Sequence, residues 1–452
     1  MGQHMLSDMR LITSFTGARG VRYPAPDVAR GFMLLLIAVA NVPQWSKAPA
    51  ESASTFQASA ADTWWVFVRT LFVDHRAYPL FAMLFGFGLM TMINRRTASG
   101  TRAYLQSLPG VDAGREPTPQ EQAWAREQAT VDARRLVRRR GWWMLLFGFV
   151  HGVFFVGDII GVYGLVAVVF AGWLSRKRYT ALCISGVVIA VVAVSAYMAI
   201  DLFAPQMAAQ MSGEQMSSIP TTLPWIVVNM SSWTYALLAQ FLVTLIVPAA
   251  MIGARLADTG IIIHPERHRG LLVAVGIGGL TLGAGGALHS ALTKVMSVPA
   301  WPWDLAAKEL FGVASACGWL ALLVLYAGGP TPDGRLTGLR RLASAVGRRS
   351  MTAYLSQTIL FGFIFVIVPL LVTGERLWLG QAGAALVAVM AWLVTVVLCV
   401  VLDRGGHAGP FETLLRTAVA RSERKRPRPV PSSSAGAVAV PADARPGAVL
   451  GG

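Results

Sequence analysis

The sequence predicts an all-α protein: a polytopic bundle of about ten transmembrane helices with both termini in the cytoplasm. Three observations carry this prediction. Hydrophobic residues make up 54% of the 452 residues and charged residues only 14%, against about 25% charged in soluble domains. Mean hydropathy is +0.54, which leaves too little polar surface to wet a folded globule. The apolar residues also fall in runs that match a bilayer core of about 30 Å, or about 20 helical residues. This composition excludes a soluble enzyme, a disordered chain, a collagen and a disulfide-rich secreted scaffold.

Ten segments satisfy the length requirement, near 28–45, 76–94, 141–157, 158–175, 180–201, 225–253, 270–290, 304–328, 351–372 and 378–402. The third and fourth are short and joined by Gly157-Asp158. Residues 63–73 add an amphipathic piece ahead of the second span. As one helix, 63–94 would be about 48 Å long. Pro79 offers a break, so an interfacial or re-entrant start is expected. When the loops alternate between two sides, one side receives 33 of the 39 Lys and Arg. The other receives three, Lys47, Lys294 and Arg376. This asymmetry assigns the richer side, with both termini, to the cytoplasm. The expected location is the plasma (inner) membrane, crossed many times.

The net charge of +16 is therefore a property of loops rather than of a nucleic-acid surface, and no nucleic-acid partner is expected. The expected partner is the bilayer itself, with anionic lipid at its cytoplasmic face. Residues 1–27 form a basic cytoplasmic arm and 28–402 the transmembrane domain. Within it lies the cytoplasmic loop 95–140. Its second half, Thr118 to Arg140, reads as a helix entering the third span, with Pro119 at its start and five Arg late. Residues 403–452 form a cytoplasmic tail, expected to be disordered after about 420. Ala48-Pro49-Ala50 has the look of a signal-peptidase site, but the first span is read as a retained anchor. Cys183, Cys317 and Cys399 each sit in an apolar run without metal-ligand spacing, so no metal is expected.

Ionisable groups within spans are expensive and mark candidate sites. His151 lies about ten residues into the third span, about 15 Å deep, and Asp158 follows seven residues later. If the helix persists, both share a face, and a carboxylate beside a neutral imidazole suits a general base. On the structural reading, His151 bonds a neighbouring helix and Asp158 caps the fourth span. Gly148 and Gly152 form a small-xxx-small pair that admits another helix. Asp74, His75 and Arg76 lie at the outer edge of the second span. Together with Asp158 and His289 they could line a polar outer vestibule, or they could form a solvated loop. At the cytoplasmic mouth of the first span, Arg30 could pair with Asp27 or face an anion. Arg348 and Arg349 precede the ninth span, where a helix N-terminus favours phosphates, and Tyr354 and Gln357 share a face of that helix. Asn41 and Gln240 read as helix–helix glue, and the glycines of the seventh span as close packing.

These blocks occur in an order that resembles the YeiB-like family, domain of unknown function 418. The resemblance runs over about residues 25–417. It rests on Asp27…Arg30-Gly31, on Leu84-Phe85-Gly86-Phe87-Gly88, and on His151…Gly157-Asp158 with Tyr163. It also rests on Gly347-Arg348 with Thr352, Tyr354 and Gln357, and on Gly409-Pro410 with Glu412 and Arg416. The chain departs from the family at Ala353, where Asn is usual, and in its longer loop 95–140. The resemblance implies a more distant similarity to transmembrane acyltransferases, such as heparan-alpha-glucosaminide N-acetyltransferase and the bacterial acyltransferase-3 proteins. Those carry an acyl group from cytoplasmic coenzyme A to an acceptor, using a membrane-embedded His. By that resemblance, His151 and Asp158 are the candidate catalytic pair. Arg30, Arg348 and Arg349 would hold acyl-CoA. Asp74, His75, Arg76, Tyr354, Gln357 and His289 would meet a small-molecule substrate. The competing readings are a small-solute transporter or permease, and a non-catalytic scaffold. The catalytic reading requires an imidazole enclosed by helices and open to ligands from both sides.

Overall fold

The computed structural model describes residues 23–46, 57–111, 114–204, 224–329 and 336–423, and those residues form helices without a strand. Among the described residues, eight helices are long and apolar enough to cross a membrane, and Ile160–Ser175 and Ile246–Leu256 are shorter apolar helices. This is a multi-pass, all-α membrane protein. The basic arm before residue 23, the Ala48-Pro49-Ala50 motif and the tail after 423 lie outside the described residues, and so do the expectations for them.

Helix α1 (Ala25–Asn41) starts with Pro at its first turn, where a missing N–H costs nothing. Helix α2 (Ala60–Phe72) is closed at its start by a capping box between Ser59 and Asp62. It stays separate from α3 (Ala77–Gln106). The break falls at Val73–Arg76, ahead of Pro79, which instead occupies the first turn of α3. His75 makes the turn with φ 61°, a left-handed conformation uncommon outside glycine.

Helix α3 also runs twelve residues beyond the expected end of its span, into the segment read as a loop. The reason is tertiary. Its extension packs on α4 (Pro119–Gly152), with Gly100 against Ala129 and the Tyr104 hydroxyl donating to Asp132 at 2.5 Å. Helix α4 begins at the expected Pro119, with a Thr118/Glu121 capping box. The half-buried Glu121 also accepts from Arg115, and these bonds hold its carboxyl down at about 2.

Helices α5 (Ile160–Ser175) and α6 (Tyr179–Phe203) follow. The expected sixth span is not one helix. It divides into α7 (Trp225–Val243) and α8 (Ile246–Leu256). At the break the Thr244 hydroxyl donates to the Gln240 carbonyl at 2.5 Å and accepts from Ile246 N at 3.3 Å. It thus offers the backbone partners that compete with a continuous helix. Pro248 then sits in the first turn of α8, where it is tolerated.

Helices α9 (Arg269–Met296) and α10 (Asp304–Ala327) pack along a stripe of glycines. A Cβ at Gly279 would lie 2.4 Å from the Ala314 carbonyl oxygen, and one at Gly283 would lie 2.3 Å from Ser315 Cβ. Gly278 and Gly285 face open space, so only part of the glycine run serves packing. Then come α11 (Gly338–Gly347), α12 (Ser350–Gly362), a π-helical turn (Phe363–Ile367), α13 (Val368–Thr373), α14 (Gln381–Arg404) and α15 (Pro410–Arg421).

The core gathers around α1, α3, α5, α8 and α12. Helices α6 and α7 bury only 17% and 6% of their apolar windows. An apolar face of that kind, turned outward, belongs in lipid. Asp258, just after α8, joins three segments. It accepts from Asn94 Nδ2 at 2.8 Å, from Lys177 Nζ at 2.9 Å and from the Tyr179 hydroxyl. Burial raises its carboxyl pKa, but the bonds from Tyr179 and Lys177 outweigh burial and hold it below the ordinary 3.8. A depressed carboxyl contributes stability above its unfolded pKa and loses it as pH falls through the folded value. Asp258→Asn is therefore expected to destabilise the protein by about 1–3 kcal/mol at neutral pH. It should also flatten the acid limb of a melting-temperature profile; a variant melting like the wild type throughout would refute this role.

Candidate functional site

Helix α4 ends at Gly152, and the chain turns before α5 starts at Ile160. Asp158 sits in that turn. Its Oδ1 accepts from Ile160 N at 3.1 Å and its Oδ2 from Gly161 N at 2.8 Å, satisfying two orphan amides of the new helix. The same Oδ1 lies 2.7 Å from His151 Nδ1. Asp158 thus caps α5 and pairs with His151, although no continuous helix joins them. An ionised carboxylate only accepts, so the network assigns the imidazole proton to Nδ1 and leaves Nε2 a lone pair. Nε2 lies 3.0 Å from Thr358 Oγ1, whose hydroxyl then donates to it.

This chain of three side chains is buried: Asp158 is 2% exposed, His151 6% and Thr358 9%. Trp233 of α7 donates its Nε1 to Asp158 Oδ2 at 3.4 Å. The close fit depends on Gly148, where a Cβ would lie 2.6 Å from Asp158 Oδ2 and 2.4 Å from Gly161 N. Gly152, the other half of the small-residue pair, admits the Trp233 ring. Tyr354 lies one turn before Thr358 on α12. Its ring meets His151 edge-on at 5.3 Å, and its buried hydroxyl finds no acceptor among the described residues. Gln357 turns away and donates to the Leu34 carbonyl at 3.3 Å. Two apolar grooves indent the surface, one bounded by Trp143, Phe147 and Leu414, the other by Leu282 and Phe311. Neither is lined by His151, which is itself buried.

The expected outer vestibule resolves differently. Of Asp74, His75 and Arg76, only His75 bonds Glu309 of α10, and the other two find separate partners. His75 Nδ1 lies 2.6 Å from Glu309 Oε1, and the Tyr78 hydroxyl bonds Glu309 Oε2. Asp74 pairs with Arg69 at 3.1 Å. Arg76, 0% exposed, donates to the carbonyls of Asp74 and Gly283. His289 pairs with Asp304 at 2.8 Å and stacks on Trp301 with centroids 3.6 Å apart. Asp158 belongs to the His151 site instead. The two groups meet at Tyr163, which stacks between Phe81 and Phe85 and donates to the Tyr78 carbonyl at 3.3 Å.

At the opposite end of α12 the expected anion site is internally occupied. Glu412 of α15 accepts from Met351 N at 2.7 Å and Thr352 N at 3.0 Å, and from the Thr352 hydroxyl. Arg348 and Arg349 both pair with Asp403, and Arg349 also donates to the His407 carbonyl at 3.0 Å. Their anion comes from the chain itself, because the last turn of α14 carries Asp403 at that level. Arg30 lies 3.4 Å from Asp27 and donates to the Leu84 carbonyl at 3.1 Å. Arg30, Arg416 and the Glu412 carboxylate all act electrostatically on Arg140, so cations converge here. Glu412→Ala would orphan two helix-start amides, and a loss of about 1–3 kcal/mol is expected. Thermal unfolding checks this, with Glu412→Gln expected to retain part of the cap.

Sequence reasoning missed Thr358, Trp233 and Glu309. Thr358 was findable, since it stands four residues after Tyr354 on the same helical face. Glu309 was findable too, as an acid inside the eighth span beside Lys308. Trp233 carries no local signal, because a Trp near a lipid-facing helix is ordinary.

Residues 256–422 match the family model described as Protein of unknown function (DUF418). The matched segment includes His289, Arg348, Arg349, Tyr354, Gln357 and Thr358, while His151 and Asp158 precede it. No curated protein and no solved structure matches the chain.

Proposed function

We propose, from the match of residues 256–422 to the DUF418 family model, an acyltransferase-like reaction with His151 as general base. One observation supports it above the others. Asp158 holds Nδ1, and Nε2 faces a hydroxyl at 3.0 Å. That hydroxyl marks the place from which an acceptor alcohol or amine would lose its proton as it attacks a thioester. Asp158 keeps the imidazole in the accepting tautomer and stabilises the imidazolium that forms.

The proposal includes ten crossings, both termini cytoplasmic, and residence in the plasma membrane. The donor is acyl-CoA from the cytoplasmic side, its phosphates meeting the cations of Arg30, Arg140 and Arg416. Arg348 and Arg349 would join only by releasing Asp403. The acceptor approaches from the side of His75, Glu309 and His289. Because His151 is 6% exposed, reaction requires a local opening. The Phe155 ring, 5.7 Å from the imidazole between centroids, is the group to move. The test is release of free coenzyme A thiol by the purified full-length protein in lipid nanodiscs. His151→Ala is expected to lower the rate by about 10²- to 10⁴-fold. Undiminished release by that variant would remove His151 as the base.

A second reading, transport of a small solute, is favoured by one observation. Both helix breaks, at Val73–Arg76 and at Thr244–Leu245, lie near the Tyr78–Glu309 group. Interrupted helices around buried charges are a transporter's device. Counterflow of solute in proteoliposomes, lost in Glu309→Gln and kept in His151→Ala, would favour this reading over the first.

A further inference from the structure

The group already in contact with the His151 base is the hydroxyl of Thr358, and the geometry points to a role for it: we propose that Thr358 is a nucleophile that carries the acyl group covalently, with Tyr354 donating to the oxyanion. This rests on the acyltransferase reading and adds a step to it. Three observations place the parts. Thr358 Oγ1 donates to His151 Nε2 at 3.0 Å, and His151 Nδ1 is bound by Asp158 at 2.7 Å. That is the nucleophile–base–orienter series by which a weakly acidic hydroxyl is activated. Tyr354 precedes Thr358 by four residues, so both project from one face of α12. Its buried hydroxyl has the Ile159 amide beside its oxygen but no acceptor for its proton among the described residues, and an unmet buried donor is costly unless something arrives to accept from it.

The step balances as follows. Thr358 Oγ forms a bond to the thioester carbonyl carbon while its proton passes to His151 Nε2. The carbonyl oxygen becomes an oxyanion and accepts from the Tyr354 hydroxyl. The C–S bond breaks, and the departing thiolate takes the proton from Nε2, leaving an ester on Thr358. An acceptor alcohol or amine then gives its proton to Nε2 and attacks that ester. Thr358 Oγ leaves and recovers the proton. No oxidant or reductant enters. If acceptor arrives only after the thiol has left, the kinetics are ping-pong.

Acid-quenched intact mass and peptide mapping test this on the full-length protein in nanodiscs. The probes are acetyl-, butyryl- and palmitoyl-coenzyme A, and p-nitrophenyl acetate, an activated ester that needs no coenzyme site. The expected result is one acyl group on the peptide holding Thr358. It should be absent in Thr358→Val, retained in Thr358→Ser and formed more slowly in His151→Asn. Turnover by Thr358→Val should fall about a thousandfold or more, with melting temperature near wild type. Tyr354→Phe should slow formation of the ester by about 10²-fold without altering the fold. Label from p-nitrophenyl acetate alone would support Thr358 as nucleophile while overturning the coenzyme donor. His151-dependent thioester turnover at an undiminished rate in Thr358→Val, with no adduct, would overturn this step and leave direct transfer standing. Absence of both label and turnover with every probe would overturn both.

Discussion

Asp158→Asn is expected to lower turnover by about four orders of magnitude while the helices remain assembled. The argument is one of donors and acceptors. Asp158 Oδ1 serves His151 Nδ1 and Ile160 N, and Oδ2 serves Gly161 N and Trp233 Nε1. An asparagine has one oxygen and one NH₂ group. With NH₂ in the place of Oδ2, two N–H groups would face a donor. With NH₂ in the place of Oδ1, only Ile160 N loses its partner, because the imidazole can change tautomer. The second arrangement costs less. It turns Nδ1 into the acceptor and puts the proton on Nε2, where it donates to Thr358 and can no longer take a proton. The lost bonds should cost about 1–3 kcal/mol of stability, a separable effect read by thermal unfolding. The rate of coenzyme A release is the main measurement. A variant with wild-type turnover would show that the imidazole tautomer has no part in the chemistry.

The second large effect concerns assembly. Helices α3 and α8 touch backbone to backbone through two glycines. A Cβ on Gly86 would lie 1.9 Å from the Ala250 carbonyl oxygen, and a Cβ on Gly253 would lie 1.9 Å from that of Met83. Neither obstacle is a side chain that can swing away, so the helices must separate. Gly86→Ala and Gly253→Ala are each expected to cost about 3 kcal/mol, the upper end for overpacking. Once the helices part, the second methyl finds space, so the double variant should lose much less than twice a single one. Separation would also disturb residues of α3 and of the turn before it that bind elsewhere, His75 and Tyr78 on Glu309, and Phe81 and Phe85 on Tyr163. Folded yield after detergent extraction and the melting temperature report the outcome. Single variants as stable as the wild type would mean that this crossing is not tight in the folded protein.

Much of the architecture was legible because lipid imposes one rule on every residue of a span: the side chain must be apolar and the backbone bonded within the helix. Run length and composition therefore indicated the helical, many-spanning fold, and Thr118-Pro119 with Glu121 marked the start of α4 directly. The misjudged places are those where a local contact overrides the run. Thr244 divides an apolar stretch that hydropathy treats as one helix, and packing against α4 draws α3 twelve residues into its supposed loop. At the candidate site, the sequence marked His151 and Asp158, since both are ionisable groups in apolar surroundings.

By itself, then, the sequence determined that the chain is a bundle of apolar helices and which buried polar residues need partners. Those are properties of each residue's own transfer from water. Who those partners are was decided only in three dimensions. Thr358 meets His151 from 207 positions away, Glu309 meets His75 across 234, and Asp403 takes Arg348 and Arg349 out of the phosphate-binding role their position invites. Pairing of this kind follows from how close the glycine-lined helices come and at what register. No local pattern encodes that distance, because it depends on two surfaces at once.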